Sequence, residues 1–465
     1  MACTGQLQTF LAAPLSGKFG TVQKAAILRL PTEIPPFDPL SNPSMSSLPQ
    51  PSLLGLRSSF GFGDRLGLAT PGHLAALKHG PLLPVLAQQS VRELSRTQRT
   101  PSEVLAAAQR GIVSTGYTGL WGADADHLKT REDVEALAAG GFTFFTIDPS
   151  AFVQNRADYL QGNALAEAAA EVVATGAFES LAQVESLYLG KRFELPGDAE
   201  LVFNDREALV RAVVKYGAAI AYAAQMAGWI ETARKGLGAD IEVSVDETDS
   251  ATTPLEHLFI GLELQRRGVR ATSVAPRFIG EFEKGIDYKG DLARFEAELK
   301  VHAAIAQRCG PYKISVHSGS DKFSIYPAVG RVCGNFLHVK TAGTSYLEAL
   351  RVVARCAPRV FSEIVAYARG RFETDRASYH ISATLADAAE PGALDAKAAE
   401  RVYLDEVAGR QILHVTFGSV LTLGRTADGR LMKEAILETL LANADLHSEV
   451  LEAHLGKHIR LLCQG

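Results

Sequence analysis

From about residue 58 onward, the sequence alternates between short apolar runs and helical patterns. Helical patterns such as Glu132–Ala139, Leu255–Arg267 and Leu292–Arg308 separate most of the runs. Such alternation predicts a parallel sheet, and eight strands favour an α/β fold of the (β/α)8 TIM-like barrel type over an open sheet. The predicted strands begin near Ser58, Leu83, Gly116, Gly141, Ile241, Ala271, Lys313 and Asn335.

Three stretches depart from this alternation and predict the domain organisation. Residues 1–56 include a Pro-rich segment with little charge and are expected to form an extended N-terminal arm. Residues 57–357 are predicted to form the barrel, with a long insertion at about 150–238, after strand 4. We expect this insertion to cover the barrel mouth or to form an interface. Residues 358–465 are predicted to form a C-terminal extension packed on the barrel, with strand-like pieces at Tyr379–Ala383 and Ile412–Phe417.

The composition narrows the class of protein. Of the 465 residues, 47% are hydrophobic and 21% are charged, as in an ordinary enzyme. The net charge of −5 leaves no basic surface for nucleic acid. No apolar run is long enough to cross a bilayer and no secretory signal is evident, so we expect no membrane contact. The five cysteines lack close pairs, which favours a reducing cytoplasm. The composition leaves open whether the chain forms a homo-oligomer.

Ionisable side chains gather where the predicted strands end. His317 and His338 end the last two apolar runs, and the first run is followed by Arg65. Ligands bind at the carboxyl ends of the strands in parallel barrels, so these side chains predict an active site there. Further candidates at strand ends are Asp126, His127, Lys129, Asp148, Glu247, Ser318, Asp321, Lys322, Lys340 and Thr341.

Two imidazoles and a carboxylate suit a divalent Zn, Mn, Ni or Co ion. The predicted ligands are Glu247, His317 and His338, with Asp126 or His127 as a further contributor. Their spacing is not a local metal signature, so hydrogen-bonded structural histidines are the alternative interpretation.

Two pairs of residues allow more than one role. Lys129 and Lys340 are suited to bind a carboxylate or phosphate or to act as a base, although Lys129 also fits a solvated position. Asp321 and Lys322 either orient a polar ligand or cap a helix. The run from Gly61 to Leu66 departs from a dinucleotide-binding loop, and no Walker motif is present, so we expect neither NAD nor ATP.

Several longer motifs occur in a fixed order: Ser59-Phe-Gly-Phe-Gly-Asp-Arg65, Gly122-Ala-Asp-Ala-Asp-His-Leu-Lys-Thr130, Asp246-Glu-Thr-Asp-Ser250, Val316-His-Ser-Gly-Ser-Asp-Lys322 and His338-Val-Lys-Thr-Ala-Gly-Thr-Ser345. In these motifs the chain resembles the tagaturonate epimerase family of bacterial hexuronate catabolism, from about residue 57 to the carboxyl end. The resemblance implies a metal-dependent barrel enzyme that interconverts D-tagaturonate and D-fructuronate.

The chemistry of that reaction favours a particular mechanism. The inverted carbon is β to the ketone, so enolisation does not acidify its hydrogen, and we expect retro-aldol cleavage followed by re-addition. Glu247, His317 and His338 would hold the metal. The alternatives are a metal-dependent ketose 4-epimerase or aldolase for neutral sugars such as tagatose or fructose, and a sugar-binding barrel without catalysis. The predicted catalytic residues are Asp126, His127 and Lys129, and the predicted substrate-binding residues are Arg65, Asp148, Ser318, Asp321, Lys322, Lys340 and Thr341.

Overall fold

The computed structural model describes residues 48–197 and 199–464. Eight parallel strands close into a barrel in the order β1-β10-β9-β8-β7-β4-β3-β2. The predicted (β/α)8 barrel, with an insertion after its fourth strand and a C-terminal extension, is therefore confirmed. The barrel strands are β1 (Ser59–Gly63), β2 (Leu83–Ser90), β3 (Gly122–Leu128), β4 (Phe144–Ile147), β7 (Asp240–Val245), β8 (Ser273–Pro276), β9 (Lys313–Val316) and β10 (Leu337–Thr341), and an antiparallel hairpin is formed by β5 (Arg192–Leu195) and β6 (Ala199–Val202).

Helices surround the barrel and build the extension. The helix predicted at Glu132–Ala139 begins at Arg131, and both hydrogen bonds of a capping box between Thr130 and Asp133 are present. The helices are α1 (Thr70–Ala76), α2 (Val91–Thr97), α3 (Pro101–Thr115), α4 (Arg131–Ala139), α5 (Gly162–Ala174), α6 (Leu181–Tyr188), α7 (Arg206–Ala233), α8 (Pro254–Arg266), α9 (Leu292–Cys309), α10 (Tyr326–Cys333), α11 (Thr344–Cys356), α12 (Pro358–Asp375), α13 (Ala396–Leu404), α14 (Val407–Val415), α15 (Phe417–Thr422), α16 (Met432–Ala442) and α17 (Ala444–Cys463).

The interior of the barrel is polar. Side chains alternate between the two faces of a strand, so every second residue points into the barrel. Asp124 of β3, Glu242 of β7 and Lys340 of β10 meet there in ion pairs. Their apolar neighbours, such as Ala123 and Val243, belong to the hydrophobic core. The strands therefore carry charged groups inward.

The insertion after β4 lies beside the barrel. Its long helix α7 packs against α4 and α8, and its hairpin strand β5 packs against α9. No described residue between 150 and 238 lines the cavity at the barrel mouth. At the rim, the Asp249 backbone N–H donates to Asn155 Oδ1 of the insertion at 3.3 Å. Both expected roles of the insertion, as a cover of the mouth and as an interface, stay predictions.

The C-terminal extension is helical, and α17 packs against α1, α10 and α11. The two strand-like pieces predicted here are wrong. Residues 412–417 fall in α14 and α15, and residues 379–383 form no regular element. Every residue of α14 from Ala408 to Val415 is buried. A short segment that is buried on all sides has no exposed face to give it a helical period, so its pattern does not distinguish a helix from a strand.

The first described residues cover the amino-terminal end of the barrel. The Ser52 backbone N–H donates to the Trp121 carbonyl at 2.8 Å, and the Leu54 N–H donates to Asp240 Oδ2 at 2.6 Å. Most of the predicted arm, up to residue 47, lies outside the described residues, and the domain boundaries near residues 56 and 357 stay predictions. Among the described helices, none is sufficiently long and apolar to pass through a membrane.

Candidate active site

A cavity of about 430 Å³ opens at the carboxyl ends of the barrel strands. Its walls come from three parts of the chain: the strand ends, the loop that follows β8, and the C-terminal extension. A cavity of this size accommodates a small ligand such as a sugar. The lining residues used below are Arg65, Asp126, His127, Asp246, Glu247, Asp249, Lys284, Gly285, His317, Ser318, Lys340, Gly343 and His414.

A bulge in β3 turns two consecutive side chains into the cavity. In a regular strand, Asp126 and His127 would point to opposite faces. The pairing of β3 with β4 shifts register between Ala125 and Leu128, and His127 has a left-handed φ of 53°. The two side chains consequently lie together, with 3.8 Å between His127 Nε2 and Asp126 Oδ1. Such bulges and left-handed residues concentrate at functional sites.

His127, Asp246 and His317 form a group in which one nitrogen or oxygen from each lies within 4.8 Å of the others. His127 Nδ1 lies 3.1 Å from Asp148 Oδ2, and His317 Nε2 lies 2.6 Å from Glu242 Oε1. If these nitrogens donate to the carboxylates, the second nitrogen of each ring presents a lone pair. The other nitrogen of this ring, His317 Nδ1, is buried and lies 3.2 Å from Asp246 Oδ1, with which it forms an ion pair when the ring is protonated.

The charges in this group favour a cation. Burial and the positive charge of Lys340 lower the pKa of His317. The negative charges of Asp246 and Glu242 have the larger effect and raise this pKa to about 10. Burial raises the pKa of Asp246, but His317 and His127 hold it well below its usual value. The protein alone therefore carries a protonated imidazole beside a carboxylate. A divalent metal would replace this proton, because metal ligands must be deprotonated.

Two further groups of possible ligands already contain a cationic side chain. The first group consists of His127, Asp148 and Glu247. The Lys129 ammonium lies 3.1 Å from Asp148 Oδ2 and 3.5 Å from Glu247 Oε2 in this group. The other group consists of Asp321, His454 and His458, and Arg410 Nη2 lies 2.6 Å from Asp321 Oδ2. In the described part of the chain, Asp246 forms no ion pair with lysine or arginine. The group of His127, Asp246 and His317 therefore fits a metal best.

Lys340 is surrounded by carboxylates. Its Nζ lies 2.7 Å from Asp124 Oδ2, 2.8 Å from Asp126 Oδ1 and 2.9 Å from Glu242 Oε1. Burial raises the pKa of Asp126, but Lys340 and the two neighbouring histidines lower it to about 2, so Asp126 is ionised at neutral pH. Burial instead raises the pKa of Asp124 to about 7. The Asp126 carboxylate is thus a fixed anion that faces the cavity.

The family is established by comparison with known proteins. The sequence model that matches residues 44–462 describes the tagaturonate epimerase family. The chain is 45% identical over 416 residues to the tagaturonate/fructuronate epimerase of Thermotoga maritima, covering 89% of this chain and 82% of that protein. The chain belongs to the tagaturonate epimerase family. Enzymes of this family are isomerases of the epimerase type, and the resemblance seen in the motifs is confirmed.

Solved structures agree with this assignment. The chain matches the glycerol-bound and native crystal structures of fructuronate-tagaturonate epimerase UxaE from Cohnella laeviribosi, with TM-scores of 0.82 and 0.81. Each match has 39% sequence identity and covers 89% of this chain and 83% of that chain. This chain therefore shares its fold with that enzyme over most of its length.

The structure of the epimerase does not bring the predicted ligands Glu247, His317 and His338 together. β9 ends at Val316, directly before His317, whereas β10 continues to Thr341, beyond His338. His338 therefore lies deeper in the barrel, where its Nδ1 is 2.9 Å from Ser59 Oγ. Glu247 is exposed at the rim. The group of possible metal ligands that includes His317 is instead His127, Asp246 and His317.

Of the predicted substrate-binding residues, Arg65, Ser318 and Lys340 line the cavity of the epimerase. Ser318 Oγ accepts a hydrogen bond from Lys284 Nζ at 2.6 Å. Asp148 and Lys129 lie behind the lining, where Asp148 contacts His127 and pairs with Lys129. Both residues therefore support the site from outside the cavity.

Three other predicted residues face away from the cavity. Thr341 Oγ1 donates to the Gly61 carbonyl at 2.8 Å, which ties β10 to β1. Asp321 pairs with Arg410, and Lys322 Nζ donates to the Glu283 carbonyl at 2.8 Å. Asp321 and Lys322 therefore connect the barrel to the β8 loop and the extension, and neither orients a ligand in the cavity nor caps a helix.

Sequence reasoning missed Asp246, Lys284 and His414 as cavity residues. A signal existed for Asp246, because it directly follows the last residue of β7, as His317 follows β9. Lys284 lies in a long loop and His414 in a helix of the extension. The local sequence carries no signal that either residue reaches the barrel mouth.

Proposed function

We propose that this epimerase interconverts D-tagaturonate and D-fructuronate with a divalent metal ion held by His127, Asp246 and His317. The observation that carries the proposal is the group of His127, Asp246 and His317 at the cavity, where one possible ligand atom from each residue lies within 4.8 Å of the others. The family and the substrates named for its relatives support the reaction.

The donor set of two imidazoles and one carboxylate suits Zn, Mn, Ni or Co. When bound, such an ion supplies positive charge that lowers the pKa of a substrate hydroxyl and balances the charge that develops on the ketone oxygen. Asp148 and Glu242 fix the orientation of the two imidazoles, as carboxylates beside metal-binding histidines commonly do.

Asp126 is the proposed base. Its carboxylate is ionised, lines the cavity and is held by Lys340. It accepts the proton of the hydroxyl on the inverted carbon, and the bond between that carbon and the carbon next to the ketone breaks. The electron pair passes to the ketone and forms an enediolate, while the other fragment becomes an aldehyde. The aldehyde turns, the bond re-forms on its opposite face, and Asp126 returns the proton.

Arg65 is the best of the predicted receptors for the substrate carboxylate. The ammonium of Lys340 is already shared by three carboxylates, and Lys129 lies outside the cavity lining. Arg65 lines the cavity, and its Nη1 is buried without a hydrogen bond. A guanidinium binds carboxylates through strong, charge-assisted hydrogen bonds.

A substrate deuterated at the inverted carbon tests the mechanism. In the retro-aldol route this hydrogen stays on its carbon, so we expect the product to retain the label and the rate to show no primary isotope effect. Trapping of a three-carbon fragment would support the route, whereas a primary effect would contradict it. Comparison of kcat/KM for D-tagaturonate with kcat/KM for D-tagatose tests the substrate class, and a preference for tagatose would favour the neutral-sugar alternative.

A further inference from the structure

Three basic side chains from distant parts of the chain share the cavity. Arg65 follows β1, Lys284 lies in the loop after β8, and His414 belongs to α14 of the C-terminal extension. Arg65 and His414 are each only 3% exposed. We call these three residues the basic wall.

Each member of the basic wall has unused hydrogen-bonding capacity. Arg65 donates from Nε and Nη2 to Glu93 Oε1 at 2.9 and 2.8 Å, but its Nη1 has no hydrogen bond in the described structure. The buried Nδ1 of His414 also lacks a partner there. Lys284 Nζ donates to Ser318 Oγ, which leaves donors for a ligand. Buried polar atoms without partners cost free energy, so a ligand that supplies acceptors is favoured.

The charge of the wall selects an anion. Burial lowers the pKa of His414 well below its usual value, and the positive charges of Arg65, Lys284 and Arg410 lower it further. The guanidinium of Arg65 lies over the Phe417 ring, 3.5 Å from the centroid, which fixes its plane. His414 is therefore neutral, and the positive charge of the wall comes from Arg65 and Lys284. An anion bound there would be attracted by these two charges and would offset their repulsion, while His414 contributes a hydrogen bond.

The fold holds His414 in place. A Cβ atom at Gly343 would lie 2.1 Å from His414 Cε1, so a residue without a side chain is required there. One turn earlier in α14, Arg410 donates from Nε to the Gly285 carbonyl at 2.9 Å and pairs with Asp321. These contacts fix α14 against the loop that carries Lys284.

We propose that Arg65, Lys284 and His414 together bind the carboxylate of the uronate, so that helix α14 of the extension contributes to the choice of uronates over neutral ketoses. This inference rests on the proposed function. It adds Lys284 and His414 to Arg65 as residues that bind the substrate carboxylate. The carboxylate end of the substrate then occupies the basic wall, and the inverted carbon lies toward Asp126.

The test measures KM for D-tagaturonate and the inhibition constant of the neutral competitor D-tagatose. We expect His414→Leu and Lys284→Met each to raise KM for tagaturonate about 10- to 100-fold, the range for a lost hydrogen bond to a charged group. The inhibition constant of tagatose should stay unchanged, and His414→Gln should recover part of the loss through its amide donor. Lys397→Met is the matched control, because it removes an exposed lysine of the extension that does not line the cavity.

An equal weakening of both sugars, or an unchanged KM for tagaturonate in both variants, would overturn the proposal. Thermal unfolding shows whether His414→Leu is folded. If it is not folded, the Lys284→Met variant tests the proposal alone. Lys284 is half-buried and lies on a loop, so we expect its replacement to leave the fold intact. A wild-type protein that does not convert tagaturonate would instead refute the proposed function, so the two failures are distinguishable.

Discussion

Asp126, His127 and His317 show how far single residues could be predicted. Each lies at a predicted strand end, and each lines the cavity. His338 does not line the cavity, because β10 continues beyond it and the next inward residue, Lys340, reaches the cavity instead. One sequence does not show where β10 ends. The bulge that brings His127 beside Asp126 could not be predicted from the sequence either, because it depends on the pairing of β3 with β4.

At this scale we predict that Asp126→Asn lowers kcat by about 10²- to 10⁴-fold, the usual contribution of a general base. Metal content should stay equal to that of the wild type, because Asp126 is outside the ligand group. Steady-state kinetics and elemental analysis check both statements. Asp249→Asn, which alters an exposed acid of the same cavity lining, is the matched control. Loss of the metal from Asp126→Asn would contradict the separation of base and ligands.

Among the elements, the loop after β8 depends on the extension. Glu283 in this loop accepts hydrogen bonds from Gln411 Nε2 at 2.7 Å, from the Ser382 N–H at 2.8 Å and from Lys289 Nζ at 2.7 Å. The eight strands and several helices were predictable from local patterns. The anchoring of the loop was not, because its partners are distant in sequence and α14 resembled a strand.

This anchor should weaken in acid. Burial raises the pKa of Glu283, but hydrogen bonds from Gln411, Lys289 and Ser382 lower it from 4.5 to about 2. A carboxyl group with a lowered pKa stabilises the fold above its unfolded pKa and loses this effect as pH falls between the two values. We therefore expect Glu283→Gln to lower the thermal unfolding midpoint at pH 7, with a difference from wild type that shrinks toward pH 3. A difference independent of pH would contradict the account.

For the molecule as a whole, the (β/α)8 barrel was predictable because each strand and helix has its own local pattern. What closes the barrel mouth was not, because packing between distant segments decides it. The insertion was expected to cover the mouth or to form an interface, whereas the described lining of the cavity comes from the strand ends, the β8 loop and the extension. The candidate active site therefore combines distant segments of the chain, in which the barrel supplies the group of His127, Asp246 and His317 and the extension supplies part of the basic wall.

The central claim is that this group holds a divalent metal on which epimerisation depends. The most direct measurement is the rate of interconversion of D-tagaturonate and D-fructuronate by the chelated protein as Mn²⁺, Co²⁺, Ni²⁺ or Zn²⁺ is titrated back. We predict that the rate falls to background after chelation and is restored by at least one of these ions, with a break at one ion per chain. Full activity of a protein shown by elemental analysis to be free of metal would contradict the account.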